Sequence, residues 1–214
     1  MPFAIKPHQK ILFTGDSITD CGRREASAPL GGGYVRMITD LIDARYPQHH
    51  LKYVNTGISG HTVRDLLNRW SDDVIRHQPD WLSIMIGIND LHRWLSNVPA
   101  QAVTAEEFAT IFPQILQRVK NETKAQIILI DPFYMSTDVQ EGSWRAKVTK
   151  HLPAYLTTVH KMVRQFKTRH VKMHDMFQAQ LKLHAPDRFC NEPVHPNPTG
   201  HLFMAHAWLK EMQW

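Results

Sequence analysis

Five short apolar runs, separated by segments of helical periodicity, restrict this 214-residue chain more than any other feature. The first, Ile11-Leu12-Phe13, is continuously apolar, as in a strand covered on both faces. Gly15-Asp16 stops it in a tight turn, and Ser17 follows just past the strand end. Strands are predicted again at residues 51–55, 80–86, 126–130 and 171–174. Helical spacing predicts helices over residues 34–46, 63–77, from 104 onward, 143–169, 176–183 and 199–212. Val35, Ile38, Leu41 and Ile42 share one face of the first, and Val63, Leu66, Leu67 and Trp70 one face of the second. Thr62, the Thr104-x-x-Glu107 capping box and Asn197-Pro198 mark helix starts. A loop carrying Trp94, Asn97 and Pro99 is expected after the third strand, and an irregular segment over 185–198. This alternation predicts one α/β domain over residues 1–214, with a five-stranded parallel sheet doubly wound by helices in the order 2-1-3-4-5. In such a sheet a site forms at the switch point between strands 1 and 3.

Composition removes several function classes. The chain is 43% hydrophobic, enough for a sizeable core, yet holds no apolar run near the ~20 residues that span a bilayer. Its first ten residues are too short and polar for a secretory signal, so a cytoplasmic protein with no membrane partner is expected. Net charge is +5, without a five-residue basic block, which points to a solvated surface and no nucleic-acid partner. Cys21 and Cys190 form no disulfide framework and are expected as free thiols. The 14 histidines include neither His-Glu-x-x-His nor a zinc-finger spacing, so no metal is expected and most are read as surface or capping residues. Gly31-Gly32-Gly33 lacks the Lys-Ser/Thr of a phosphate loop and reads as a lid or linker.

Four features at strand ends are chemically complementary: Ser17 after strand 1, Gly60 after strand 2, Asn89 after strand 3, and Glu192-x-x-His195 after strand 5. A serine hydroxyl needs a base, which His195 can supply, and the imidazole needs an acceptor on its other nitrogen, which Glu192 can supply across a turn. A tetrahedral oxyanion needs donors. The N–H groups of Ser17 and Gly60 and the side-chain amide of Asn89 suit that role, with Gly60 also keeping a side chain out of the approach.

These residues resemble the blocks of the GDSL esterase, or SGNH hydrolase, superfamily: Gly15-Asp16-Ser17 the first, Gly60 the second, Gly87-Ile88-Asn89-Asp90 the third and Glu192-x-x-His195 the fifth. Longer strings, from Gly15 to Arg23, Asn55 to Leu66 and Met85 to Asp90, are similar to a branch that includes intracellular acetyl-xylan esterases. The resemblance implies a flavodoxin-like three-layer sandwich, a serine nucleophile, and neither metal nor cofactor. It also implies a small-molecule ester substrate, an acetylated sugar such as a xylo-oligosaccharide. A general short-chain esterase or lysophospholipase stays open, as does a non-catalytic ligand-binding protein. One departure stands out. The family carries aspartate three residues before the histidine, where this chain has Glu192. Asp187 is the second candidate acid, and a Ser-His dyad without acid the third reading. Trp94, Phe133, Tyr134 and Trp144 suit either a sugar-stacking wall or packing. Trp208 and Trp214 suit core or interface, which leaves a homo-oligomer open.

Overall fold

β1 (Lys10–Gly15) is an interior strand of a parallel sheet, between β2 (Lys52–Asn55) and β3 (Trp81–Met85), with β4 (Gln126–Ile130) and β5 (Arg169–Val171) completing the order β2-β1-β3-β4-β5. The protein is seen here as a computed structural model that describes residues 3–98 and 100–214. Ile11, Leu12 and Phe13 are fully buried, because helices cover both faces of β1. Phe13 pairs with Asn55 on one side and Ser83 on the other. Its ring lies 5.5 Å from Trp208, whose indole N–H donates to Ser83 Oγ at 3.1 Å.

Eight helices wrap the sheet among the described residues: α1 (Ser17–Asp20), α2 (Tyr34–Arg45), α3 (Val63–Asp73), α4 (Ile88–Leu95), α5 (Ala105–Glu122), α6 (Trp144–Phe166), α7 (Met173–Leu181) and α8 (Pro198–Glu211). α2 packs on α8, while α3, α5 and α6 pack side by side. The expected caps form. Thr62 and Asp65 make a reciprocal capping box on α3, Thr104 accepts from the N–H of Glu107, and Asn197 accepts from the N–H of Gly200. No helix of the described residues is long and apolar enough to cross a membrane.

Three local expectations are corrected. Residues 88–95 are helical where a loop was expected, because Ile88 and Leu91 are buried one turn apart and Gly87, at φ +131°, supplies the sharp entry. Pro99, expected in that loop, lies outside the described residues. β5 lies at 169–171 rather than 171–174, because α6 stops at the left-handed Lys167 (φ +53°), and α7 begins early to bury Met173 and Phe177. α3 ends at Asp73, and residues 75–77 form a separate 3-10 turn. The triple glycine is tied down: Gly31 N–H donates to Ser27 O and Gly32 N–H to Cys21 O, both at 2.8 Å, and Gly33 precedes α2 as its N-cap. Trp208 belongs to the core, whereas Trp214 is half-buried beneath the Arg45 guanidinium, 4.7 Å from the ring centre.

Candidate active site

β1 delivers Ser17 to the edge of the sheet. At Gly15 a Cβ would stand 2.3 Å from the Met85 carbonyl oxygen, so β1 approaches β3 this closely only without a side chain. Asp16 then caps α1, its carboxylate accepting from the N–H of Ile18 at 3.0 Å. Burial pushes Asp16 up to about 6 against the lowering effect of that bond. Ser17 is the first residue of α1, so its N–H has no intrahelical acceptor. Its Oγ lies 2.8 Å from His195 Nε2.

The segment before α8 is braced from both sides. Met135 N–H donates to Pro193 O and Asn197 N–H to Phe189 O, each at 2.8 Å. Within it Glu192 folds back over its own turn. Oε2 accepts from Val194 N–H at 2.9 Å, while Oε1 accepts from His195 N–H at 2.7 Å and bonds His195 Nδ1. Burial raises the Glu192 carboxyl, but the bonds from the His195 ring and the two backbone N–H groups outweigh it and hold the group below the usual carboxylate range. The same bond to Glu192 raises His195, which burial only partly offsets. With Nδ1–H donating to Glu192, the lone pair of Nε2 faces the Ser17 hydroxyl, the geometry of a general base. Asp187 is exposed in a 3-10 turn, and its backbone carbonyl accepts from Asn197 Nδ2 at 2.9 Å. Its carboxylate is not a hydrogen-bond partner of His195.

The other side of Ser17 is the turn after β2. Gly60 sits there at φ +80°. A Cβ would meet Arg93 only at 3.5 Å, ordinary contact, so among the protein's own atoms conformation rather than space calls for glycine. Arg93 Nη2 donates to Gly60 O at 2.5 Å, and Asn89 Nδ2 donates to His61 O at 3.1 Å, leaving the second amide hydrogen available. Both grips come from α4, four residues apart and therefore on one face. From below, the buried Asp20 carboxylate accepts from Ser59 N–H at 2.9 Å and Ser59 Oγ–H at 3.0 Å. Arg23 Nε donates to Gly57 O at 2.6 Å. Sequence reasoning missed Asp20, Arg23 and Arg93. The Asn89-to-Arg93 spacing was the available signal, but it has meaning only once residues 88–95 are helical.

The aromatic residues divide. Phe133 is core, 4.8 Å from Phe177, and Trp94 stacks edge-on to His151. Tyr134 and Trp144 flank His92 at 5.7 and 5.6 Å. Trp144 is 42% exposed. His92, also unforeseen, feels the charges of Glu192 and His195, and burial holds it below its ordinary value. A recess of about 330 Å³ opens beside Glu192, lined also by Met135, Arg145 and Asp187. The two cysteines are free and separately engaged: Cys21 Sγ lies 3.6 Å from His201 Nε2, and Cys190 S–H faces Pro186 O at 3.2 Å.

Comparison with known proteins agrees with this layout. The GDSL-like lipase/acylhydrolase family matches residues 13–202. An acetylxylan esterase of Geobacillus stearothermophilus is 37% identical over 211 residues, 95% of this chain and 94% of the relative. The crystal structure of Axe2, an acetylxylan esterase from Geobacillus stearothermophilus, matches with a TM-score of 0.90 at 36% identity, covering 99% of this chain and 97% of its own. Catalytic mutants of Axe2, with an aspartate, a serine or a histidine replaced by alanine, match with the same TM-score of 0.90. LAE5, described as an alpha/beta hydrolase enzyme from the metagenome of Lake Arreo, matches with a TM-score of 0.89 at 28% identity, covering 99% of this chain and 98% of its own.

Proposed function

We propose that this chain, which belongs to the GDSL-like lipase/acylhydrolase family, is a serine esterase that removes acetyl groups from carbohydrates of the xylo-oligosaccharide class. The observation that carries the reading is the 2.8 Å contact from Ser17 Oγ to His195 Nε2, with Nδ1 of the same ring held by Glu192. The acetylxylan esterase relatives supply the substrate class, and the exposed face of Trp144 beside His92 offers a surface on which a sugar can stack.

In this reading His195 takes the hydroxyl proton as Ser17 attacks the ester carbonyl. The oxyanion is received by the N–H groups of Ser17 and Gly60 and by the free amide hydrogen of Asn89. His195, now an imidazolium held by Glu192, protonates the departing sugar alcohol. Water then attacks the acyl carbon while His195 takes its proton, and His195 returns that proton to Ser17 Oγ as the acyl bond breaks and acetate leaves. In this reading Glu192 acts as the acid of the triad, and that an aspartate is named among the Axe2 catalytic mutants supports a carboxylate in that role. We place the protein in the cytoplasm on the strength of its two unpaired thiols.

The test is acid release from three substrates: acetate from acetylated xylo-oligosaccharides and from aryl acetates, and fatty acid from lysophospholipids. Acetylated oligosaccharides should give the highest kcat/KM, and Ser17→Ala should remove turnover of all three. Faster release of fatty acid from lysophospholipids would overturn the substrate class. Persistent turnover by Ser17→Ala, or failure of an organophosphonate to label Ser17, would overturn the mechanism.

A further inference from the structure

We propose that Asp131, His160 and His170 form a binding site for one divalent transition ion of the zinc class, where the carboxyl end of β4 meets β5 and α6. One ligand atom from each residue lies within 4.8 Å of the other two. His160 Nε2 and His170 Nε2 both converge on the same carboxylate oxygen, Asp131 Oδ1, at 3.1 and 2.7 Å. Around a tetrahedral ion with bonds of about 2.0–2.1 Å, ligand atoms stand roughly 3.3 Å apart, so a slight opening of the cluster seats an ion.

The second oxygen of the carboxylate is the independent observation. Asp131 Oδ2 is buried without a hydrogen-bond partner, on a residue that is fully buried. Two imidazoles donating to Oδ1 alone leave that oxygen unsatisfied, at a cost of the order of that of a lost hydrogen bond. An ion bound by the carboxylate supplies its missing electrostatic partner. A further imidazole is near. His174 Nδ1 is also buried without a partner, and the ring lies within electrostatic reach of Asp131 and His160. Its ligand atoms lie outside the three-residue cluster, so a water would complete four-coordination.

Two imidazoles and one carboxylate suit zinc and its transition-row neighbours, and not magnesium or calcium, which favour all-oxygen shells. Entry is open on one side, since the His160 side chain is 34% exposed, whereas that of His170 is 12% exposed. The three residues come from the end of β4, from α6 and from β5, so the ion would clamp three elements. The clamp bears on the esterase site mechanically. The chain continues from Asp131 to Met135, whose N–H holds Pro193 O at 2.8 Å, one residue from Glu192.

The experiment is calorimetric titration of chelator-treated full-length protein with Zn²⁺ and, separately, Mg²⁺, together with thermal melts. The wild type should bind one Zn²⁺ per chain, melt higher in its presence, and give no Mg²⁺ binding. His160→Ala, at a partly exposed helical position, and His170→Ala should each weaken Zn²⁺ binding at least tenfold. His8→Gln/His50→Gln, in a stacked histidine pair elsewhere (ring centres 5.9 Å apart), should bind as the wild type does. If His170→Ala fails to fold, His160→Ala alone decides. Absence of saturable Zn²⁺ binding, equal binding of Mg²⁺, or binding untouched by His160→Ala overturns the proposal and leaves Asp131 as a hydrogen-bonded anchor for two histidines.

Discussion

Replacing Glu192 separates its charge from its shape. The carboxylate accepts from the N–H groups of Val194 and His195 at 2.9 and 2.7 Å and bonds the His195 ring. The His195 and Glu192 side chains are 56% and 47% exposed, so in the resting protein the pair contributes at most about 1 kcal/mol to stability. In the proposed mechanism His195 becomes an imidazolium in the transition state, and the bond to it is then charge-assisted, about 1.5–3 kcal/mol. At about 1.36 kcal/mol per decade, Glu192→Ala should lower kcat about 10- to 150-fold while shifting a urea midpoint little. Glu192→Gln should be worse. Its amide keeps the shape but must point a donor at a backbone N–H or at Nδ1, which favours the wrong ring tautomer, a change worth up to about 10⁴-fold in a serine triad. The pH profile gives a second readout. Glu192 raises His195, and the base must be neutral, so wild-type activity is lost as pH falls through a value above the ordinary 6.5. In Glu192→Ala that acid limb should move to lower pH. The assay is kcat/KM on an aryl acetate from pH 5 to 9, with Asp187→Ala alongside. Near-wild-type rates for Glu192→Ala together with a large loss in Asp187→Ala would refute the assignment. A Glu192→Gln enzyme faster than Glu192→Ala would refute the tautomer reasoning.

Asn89→Ala should reduce kcat about 10²- to 10³-fold, the scale for one lost oxyanion donor, with the far-UV spectrum unchanged; a loss under fivefold would remove Asn89 from that role. Arg93→Ala should release the Gly60 carbonyl and lower kcat about tenfold with KM little changed, a loss that Arg93→Lys partly restores, because a bond from a charged donor is worth about 1.5–3 kcal/mol and only part of that reaches the turn. A change confined to KM would place Arg93 in substrate binding instead. Asp90 gives a stability prediction. Burial pushes it up to about 7, against the bond from Val63 N–H at 2.9 Å, so between its ordinary 3.8 and about 7 the folded state holds a proton that the unfolded chain has lost. Stability therefore falls as pH rises through that window. Asp90→Asn keeps an acceptor for Val63 and removes the titration, so thermal melts should show a larger gain at pH 8 than at pH 5; equal changes at the two values would refute the linkage.

Most of the sheet was legible because its signals are local. A continuous apolar run such as Ile127–Ile130 needs cover on both faces wherever it lies, and a Thr or Asn with its partner three residues on marks a helix start by its own chemistry. β5 was misplaced because only three residues pair, and what sets their position is the left-handed stop at Lys167, which no apolar pattern announces. α4 was missed for a related reason. Eight residues give too little periodicity to outvote a Gly-x-Asn-Asp turn, and its helicity rests on burying Ile88 and Leu91 beneath α5 and α6.

The sequence alone determined which residue types could do acyl-transfer chemistry, and that Ser17, Gly60, Asn89 and the Glu192-x-x-His195 turn would end up along one edge, because parallel strands all finish on the same side of a sheet. Which carboxylate reaches His195 was decided only by tertiary structure. Glu192 and Asp187 lie three and eight residues before the histidine, and what separates them is the shape of the turn that Met135 and Phe189 brace from outside. The same holds for Arg93 against Gly60, and for Asp131 with two histidines that follow it by 29 and 39 residues. Contacts of that kind are made by the packing of elements onto the sheet, and the spacing of the residues does not by itself identify them.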